Sequence, residues 1–349
     1  MVASPERTER AIADLSRRGL DSPTLRRQAM TVLSRAVPVD GYCFAAADPE
    51  TLAMVDHTTD GVDRSQAGAL YRNEYGERDV AKHAELVRQD MPVAVTSHLT
   101  GGDVTRSRRH RELLGPMGIR HELRAATVAD GATWGFLHLF RGPDRSDFTA
   151  QEAALVARAS RHLAAGLRAA TIGEGVTMTA ASEAPALVVL DERDRIVEAT
   201  PGAAIWLRRV ADSERPDEPV PEILQLLSAW ARASAAGALT AVPRARLRGG
   251  DGCWVSLHGS VTAGAGGAGG RVAIILQPAT PPELAPLLLS GFGLTPGERE
   301  VCELVLAGES TKAIAADLFI SPYTVQDRLK TIFAKVGVRS RRALVARLR

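Results

Sequence analysis

The stretch Ile320-Ser-Pro-Tyr-Thr-Val-Gln-Asp-Arg-Leu-Lys-Thr-Ile-Phe-Ala-Lys-Val336 decides the fold of the C-terminal part of the chain. Ser321 is a good helix N-cap residue, Pro322 suits the first helical position, and Gly337 is a typical helix stop. At about 3.6 residues per turn, one stripe of this helix is apolar and the opposite face is polar. The apolar stripe contains Val325, Leu329, Ile332, Phe333 and Val336. The outward face contains Tyr323, Asp327, Lys330, Thr331 and Ala334.

Three more short helices are predicted around this one. Thr295, Pro296 and Glu298 form a capping box that begins a helix ending at Gly308. Further helices begin near Ser310 and Ser340. Their expected buried residues are Val301, Leu304, Val305, Ile314, Leu318, Leu344, Val345 and Leu348. Four helices within residues 294–349, two of them joined by a tight turn, fit an all-α helix-turn-helix domain.

The charge of the chain is concentrated at this end. The 349 residues carry 43 basic and 41 acidic side chains, but the last 22 residues contain eight basic and no acidic ones. A positive module on a nearly neutral body is expected of a protein that meets a polyphosphate. The alternative is a solvated basic tail, and composition alone does not separate the two.

The outward face of the helix over residues 321–336 has the side chains that a major groove can accept. Lys330 could donate to guanine, and Tyr323 and Thr331 could reach phosphate or base. On the flanks, Gln326 can pair with adenine and Arg328 with phosphate or guanine. Asp327 repels the DNA backbone but can accept a hydrogen bond from cytosine, so it would lower the affinity for DNA and raise the selectivity among bases. An ordinary amphipathic helix with a solvated face is the alternative.

Residues 294–349 resemble the LuxR-type helix-turn-helix. The resemblance rests on Leu294-Thr-Pro-x-Glu-x-Glu-Val301, Lys312-x-Ile-Ala-x-x-Leu318, Ile320-Ser-Pro-x-Thr-Val325 and Val338-Arg-Ser340. It implies a four-helix DNA-binding domain that dimerises through its last helix, about residues 340–348. It also implies base contacts from Gln326, Asp327 and Lys330, and phosphate contacts near Thr311, Lys312, Thr324 and Arg328. Family members commonly carry a basic residue at the position of Gln326 and a neutral one at that of Asp327. These departures concern the target sequence and not DNA binding itself.

Two α+β domains are predicted upstream. Residues 1–24 suggest a short polar helical lead-in. Residues 25–172 contain strands, an Asp130-Gly131 hairpin turn and a final helix with a Thr149/Glu152 capping box, and they resemble a GAF sensory domain. Residues 178–280 contain two hairpins and resemble a PAS-type fold. Residues 281–293 are expected to form a linker. The predicted architecture is therefore an α+β GAF-like domain, an α+β PAS-like domain and an all-α terminal domain.

Four upstream features could carry chemistry, and each also has a plainer interpretation. His138 could bind a ligand in a sensory cavity, although a satisfied core or edge histidine is the favoured interpretation. The basic run 106–111 could bind an anion, although a solvated helix face is favoured. The tract 264–270 is expected to be a hairpin loop, because it lacks the ending of a phosphate-binding loop. Cys43 could be redox-sensitive, although a lone cysteine in an apolar strand is usually just buried.

The sequence predicts a cytoplasmic transcription factor that binds double-stranded DNA as a homodimer and has no membrane segment. An effector in the GAF-like domain is the expected signal. No metal or cofactor site is expected, because the three cysteines and eight histidines match no ligand spacing and the Gly-x-Ser-x-Gly, P-loop and zincin motifs are absent. Two alternatives stay open. One is an enzyme whose active site lies in the GAF-like domain, and the other is a regulator whose basic end binds an acidic protein.

Overall fold

The computed structural model describes residues 4–173, 183–212, 214–263 and 270–348. The chain divides into two compact units, Met1–Val128 with Thr133–Pro278 and Ala129–Ala132 with Ala279–Arg349. None of the helices in the described part combines the length and the apolar character that crossing a bilayer requires.

The first domain of the larger unit is built on a five-stranded sheet. Its order is β2-β1-β5-β4-β3, and the pairs β1–β2, β1–β5 and β3–β4 are antiparallel. The strands are β1 (Gly41–Ala47), β2 (Met54–Asp60), β3 (Val93–Val95), β4 (His121–Ala129) and β5 (Ala132–Arg141). Asp130 and Gly131 form the two-residue turn between β4 and β5, with φ of 51° and 73°. Both values suit a tight hairpin turn, so the predicted hairpin is confirmed.

Helices cover both faces of this sheet. They are α1 (Pro5–Ser16), α2 (Ser22–Leu33), α3 (Ala67–Gly76), α4 (His83–Leu86), α5 (Thr96–Leu99) and α6 (Ala150–Gly173). On one face, the buried Arg26 of α2 donates to the Phe44 carbonyl oxygen of β1 at 2.9 Å. On the other face, Tyr71 of α3 lies 3.1 Å from His57 of β2. The predicted capping box is present at the start of α6, where Glu152 accepts from the Thr149 amide at 2.8 Å.

Helix α1 does more than lead into the domain. It packs against α2 and α6, and its Ile12 is completely buried. The polar residues that suggested a lead-in lie on the opposite, solvent-facing side of an amphipathic helix, so residues 5–16 contribute to the core of the first domain.

The middle domain has a second antiparallel sheet with the order β7-β6-β10-β9-β8. Its elements are β6 (Ala186–Leu190), β7 (Ile196–Ala199), α7 (Ala203–Arg209), α8 (Glu222–Ala235), β8 (Arg244–Arg248), β9 (Trp254–Val261) and β10 (Val272–Pro278). Helix α8 packs on β9 and β10 and also contacts α3 of the first domain, so it joins the two domains of this unit. Both predicted hairpins are present, but residues 264–269 of the glycine tract lie outside the described residues.

The C-terminal part of the smaller unit is all-helical, as predicted. Its helices are α9 (Pro281–Gly291), α10 (Pro296–Ala307), α11 (Thr311–Asp317), α12 (Pro322–Val336) and α13 (Arg341–Leu348). Thr295, Ser310 and Ser321 accept from backbone amides as N-caps. Gly308 and Gly337 end α10 and α12 with φ of 94° and 73°, a conformation that glycine adopts without strain.

The segment 281–293 is not an extended linker, because α9 occupies most of it. Thr280 and Glu283 form a capping box, and Leu284, Leu287 and Leu288 are buried. Pro281 and Pro282 are the first two residues of this helix. Proline is tolerated there, since those amides have no helical acceptor, and burial of the leucines stabilises the helix.

Candidate functional site

Helix α12 has the two faces that the sequence predicts. Val325, Leu329, Ile332 and Val336 are buried, and Phe333 is half-buried. These residues pack α12 against α10, α11 and α13. The apolar stripe therefore fixes which side of the helix remains available to a partner.

The opposite side of α12 is open to solvent. Tyr323 has 79% of its surface exposed, and Asp327, Lys330, Thr331 and Ala334 are also exposed. Within the described residues, the side chains of Tyr323, Asp327 and Lys330 form no hydrogen bond or ion pair. Free donors and acceptors on one helical face can meet base edges without first breaking an internal contact.

Two residues predicted to contact DNA meet between α11 and α12. Gln326 Nε2 donates to Thr311 Oγ1 at 3.2 Å. Lys312 is exposed beside Thr311, and the Thr324 hydroxyl lies 2.9 Å from that of Ser321 at the N-cap of α12. The side chains predicted to contact phosphate therefore lie around the N-termini of two helices, where the backbone dipole favours anions.

Arg328 is held differently from the other predicted residues. It is half-buried, and its Nη1 donates to the Gly297 carbonyl oxygen at 3.1 Å. A Cβ at position 297 would lie 2.8 Å from that same nitrogen, so glycine leaves the space that the guanidinium needs. Arg328 therefore ties α12 to α10.

One exposed residue beside α12 was missed by sequence reasoning. Phe319, in the turn between α11 and α12, is 95% exposed and has φ of 53°. A bulky residue with positive φ is unusual. The sequence predicted a tight turn at this position, but a turn can hold either an exposed or a buried phenylalanine.

An ion pair fixes the C-terminal half of α12. Lys335 Nζ lies 2.7 Å from Glu298 Oε2, and the same carboxylate oxygen accepts from the Thr295 amide at 2.7 Å. Burial alone would raise the pKa of Glu298, but these hydrogen bonds and the lysine charge outweigh burial and lower it.

A second candidate site lies in the larger unit, where a cavity of about 70 Å³ separates the first sheet from α3. The free space for one water molecule is roughly 10–15 Å³, so the cavity can hold several waters or one compact ligand. Side chains of β1, β2, β4 and β5 line it, together with Glu222 from the middle domain. The charged and imidazole-bearing lining residues are His57, Asp63, Arg64, Glu74, His83, Arg109, Glu122, Arg124, His138 and Glu222.

Buried ion pairs form one wall of this cavity. Arg109 lies 2.7 Å from Glu122, and Arg124 lies 2.8 Å from Glu74. Burial alone would raise the pKa of Glu122, but Arg109 and Arg124 outweigh burial and lower it to about 2. Sequence reasoning favoured a solvated face for the run 106–111. That interpretation was wrong for Arg109, which is 4% exposed because Glu122 draws it inward.

Two histidines adjoin Arg124. His83 Nε2 lies 3.0 Å from His138 Nε2 and 2.7 Å from Arg124 Nη2. Burial first, and then the charge of Arg124, hold the pKa of both histidines well below the usual range, so both rings are neutral. His138 is half-buried and has partners within the domain, as the favoured interpretation of a satisfied core or edge histidine requires, and it also lines the cavity. Glu122 and Arg124 alternate along the otherwise apolar strand β4, and this pattern could have indicated a buried polar site.

The other end of the cavity joins the two domains. Arg64 of the first domain lies 2.7 Å from both Asp212 and Glu222 of the middle domain. The Tyr71 hydroxyl donates to Glu222 at 3.1 Å. His57, Asp212 and Glu222 are close enough to hold a metal ion together. Arg64 already neutralises both carboxylates, so this donor set does not fit a divalent cation.

Cys43 lines the same cavity, on the face of β1 that pairs with His138 of β5. Burial raises the pKa of its thiol to about 12. A thiol in this environment stays protonated and is a weak nucleophile, which agrees with the plainer interpretation of Cys43.

A helix with an open polar face in the terminal domain and a cavity lined by charged residues in an N-terminal α+β domain define a helix-turn-helix transcriptional regulator with a sensory domain. The chain belongs to the luxR family of bacterial regulatory proteins. The model of that family matches residues 293–348, and the GAF domain model matches residues 23–167. The family consists of DNA-binding regulators and not of enzymes.

Similarity to known proteins is concentrated in the terminal domain. The spore germination protein GerE of Bacillus subtilis is 44% identical over 55 residues, which cover 16% of this chain and 74% of GerE. The HTH-type transcriptional regulator Mb0914c of Mycobacterium bovis is 54% identical over 56 residues, which are 16% of this chain but only 6% of that protein. Among solved structures, a phycoerythrobilin-bound GAF domain from a cyanobacterial phytochrome aligns with 50% of this chain and 98% of its own, at 12% identity and a TM-score of 0.37.

Proposed function

We propose that this regulator reads duplex DNA through the outward face of α12, with the N-terminus of α11 on the phosphate backbone. The observation that carries the proposal is the open polar face, on which Tyr323, Asp327 and Lys330 have no internal partner among the described residues. Lys330 is suited to guanine and Asp327 to cytosine N4, while Thr331 can reach phosphate or base. The basic residues at the C-terminal end add sequence-independent affinity.

The proposed DNA-bound form is a homodimer. Leu344 and Leu348 of α13 are buried inside the terminal domain, whereas Arg342 and Ala346 are exposed and Val345 is half-buried. The second set is available to another copy of the helix. Two tethered recognition helices bind two half-sites more tightly than one helix binds one half-site.

We infer that the cavity of the GAF domain is an effector site and that the regulator acts in the cytoplasm. Glu222 of the middle domain lines the cavity, so an effector can change the contact between α3 and α8. The strand order of the middle sheet supports a PAS-type assignment for residues 178–280, after a GAF domain over residues 25–172. A signal acts only if the effector favours one arrangement of the chain over another.

The test is a selection from randomised duplexes with the full chain, followed by affinity measurements at several salt concentrations. A sequence preference and a linear decrease of log affinity with log salt are expected. Arg328→Ala should weaken binding to all duplexes, because it removes a charge near the phosphates and loosens α12. Salt-dependent binding without preference among duplexes, equalled by an acidic polypeptide, would contradict DNA reading.

A further inference from the structure

Arg124 carries hydrogen-bond donors that nothing in the described part of the chain accepts. Its side chain is 2% exposed, and its Nη2 donates to Glu74 at 2.8 Å. Its Nε and Nη1 have no hydrogen-bond partner. The nearest carboxylate oxygen to Nε is Glu122 Oε1 at 3.9 Å, which is too long for a hydrogen bond. A buried charged donor without an acceptor is costly, so these positions call for a ligand or for water.

Two neutral imidazoles lie beside Arg124 in the same cavity. Arg124 Nη2 can only donate, so His83 Nε2 accepts at 2.7 Å. The neutral ring then carries its proton on Nδ1, which faces Glu74 Oε1 at 3.5 Å. His138 Nε2 lies 3.0 Å from His83 Nε2 and 3.3 Å from Arg124 Nη2. The two imidazoles therefore engage Nη2 of Arg124 and leave its Nε and Nη1 as the spare donors.

Both carboxylates of this wall already accept from donors within the wall. Glu74 accepts from Arg124 at 2.8 Å and from the His83 amide at 2.7 Å. Glu122 accepts from Arg109 and Thr96, each at 2.7 Å. A wall with spare donors and occupied acceptors is complementary to a group that only accepts, which is the property of an ionised carboxylate.

We propose that the cavity binds a short-chain carboxylate, with the carboxylate on the spare donors of Arg124 and the alkyl end on an apolar patch. The patch is formed by Cys43, Leu114 and Phe140, which line the cavity. A volume of about 70 Å³ limits the ligand to a few heavy atoms. The proposal rests on the effector role proposed above and names its ligand class.

The test is calorimetric titration of the full chain, without DNA, with sodium acetate and sodium propionate. The matched neutral ligands are acetamide and propionamide, and sodium chloride keeps the ionic strength constant. We expect saturable one-to-one binding of the carboxylates and at least about tenfold weaker binding of the amides, because only the carboxylates are acceptor-only anions. Carboxylates that bind no better than chloride would mean that the cavity holds water only, and would overturn the proposal.

Variants separate this site from a general charge effect. The double variant Glu74→Gln/Arg124→Gln removes the buried pair together, keeps the net charge, and should abolish carboxylate binding. The control Asp40→Asn/Arg145→Gln removes an exposed pair of the same domain, 2.5 Å apart, and should bind like the wild type. Unchanged binding by Glu74→Gln/Arg124→Gln would overturn the proposal.

A second variant decides the outcome if that double variant does not fold. Cys43→Met extends a side chain into the cavity without changing any charge, and it should also abolish binding; retained affinity would contradict the proposed site. Because no DNA is present, failure here leaves the DNA-reading proposal intact. If a carboxylate binds but does not change the affinity for DNA, the cavity is a carboxylate site but not an effector site.

Discussion

Lys335 Nζ lies 2.7 Å from Glu298 Oε2, so the C-terminal half of α12 is tied to the first turn of α10. The same carboxylate closes the Thr295 capping box at 2.7 Å. One side chain thus starts α10 and orients α12. The ion pair lies on the flank of α12 that adjoins α10, and its loss should shift the helix without removing any side chain of the open face.

This relationship predicts a pH dependence of local stability. The folded-state pKa of Glu298 is lowered, so its contribution is fully present above the unfolded value, 4.5, and is lost as the pH falls through the lower folded value. We expect Glu298→Gln to destabilise the terminal domain by roughly 1 kcal/mol at pH 7 and to have little effect in strong acid.

Hydrogen exchange in peptides from α10 and α12 is the suitable measurement for Glu298→Gln. All four tryptophans precede residue 279, so their fluorescence reports on the other domains. Glu300→Gln is the control, because Glu300 is exposed on the same helix. Equal protection of wild type and Glu298→Gln at pH 7 would contradict the predicted role.

Lys330→Ala should relax base preference at one position of each half-site. Loss of a good side-chain contact to guanine corresponds to about 1–3 kcal/mol of discrimination. Lys312→Ala is the matched control, since it removes the same charge from another exposed lysine predicted to contact phosphate. Lys312→Ala should lower the affinity for all duplexes alike and reduce the slope of log affinity against log salt concentration by about one. The assignment fails if the two variants give the same ranking of duplexes.

Asp327→Ala should bind DNA more tightly and less selectively. The exposed carboxylate has no hydrogen bond or ion pair within the described residues, so its removal costs no internal contact and relieves repulsion from phosphates. A randomised-site selection measures the change. Unchanged selectivity would show that Asp327 is a solvated residue without a role in recognition.

Arg64→Ala should destabilise the larger unit. It leaves Asp212 and Glu222, which are 5% and 6% exposed, without their cation, and such a change typically costs about 3–5 kcal/mol. Arg72→Ala is the control, because Arg72 pairs with Asp194 across the same two domains but is 50% exposed and should contribute at most about 1 kcal/mol. Urea unfolding followed by tryptophan fluorescence compares the two variants. Similar losses of unfolding free energy in both would contradict the prediction that the buried ion pair contributes more than the exposed one.

The recognition helix was largely predictable because its signals are local. An N-cap at Ser321, a stop at Gly337 and an apolar repeat between them fix both the bounds of α12 and its buried side. Arg328 shows the limit of this reasoning. The helical wheel predicts that Arg328 lies on the flank of α12. The position of its guanidinium depends on a hydrogen bond to the carbonyl of Gly297, which is 31 residues earlier.

The sequence by itself determined three α+β or α domains, the Asp130-Gly131 hairpin and the outward face of α12, because periodicity, capping and turn chemistry act over a few residues. Only the tertiary structure decided that Arg109 and Arg124 are buried and that His83 meets His138. Residues 55 positions apart are neighbours there because α4 is folded over the face of β5. Buried charges depend on partners that are distant in sequence, and no local pattern reports those partners.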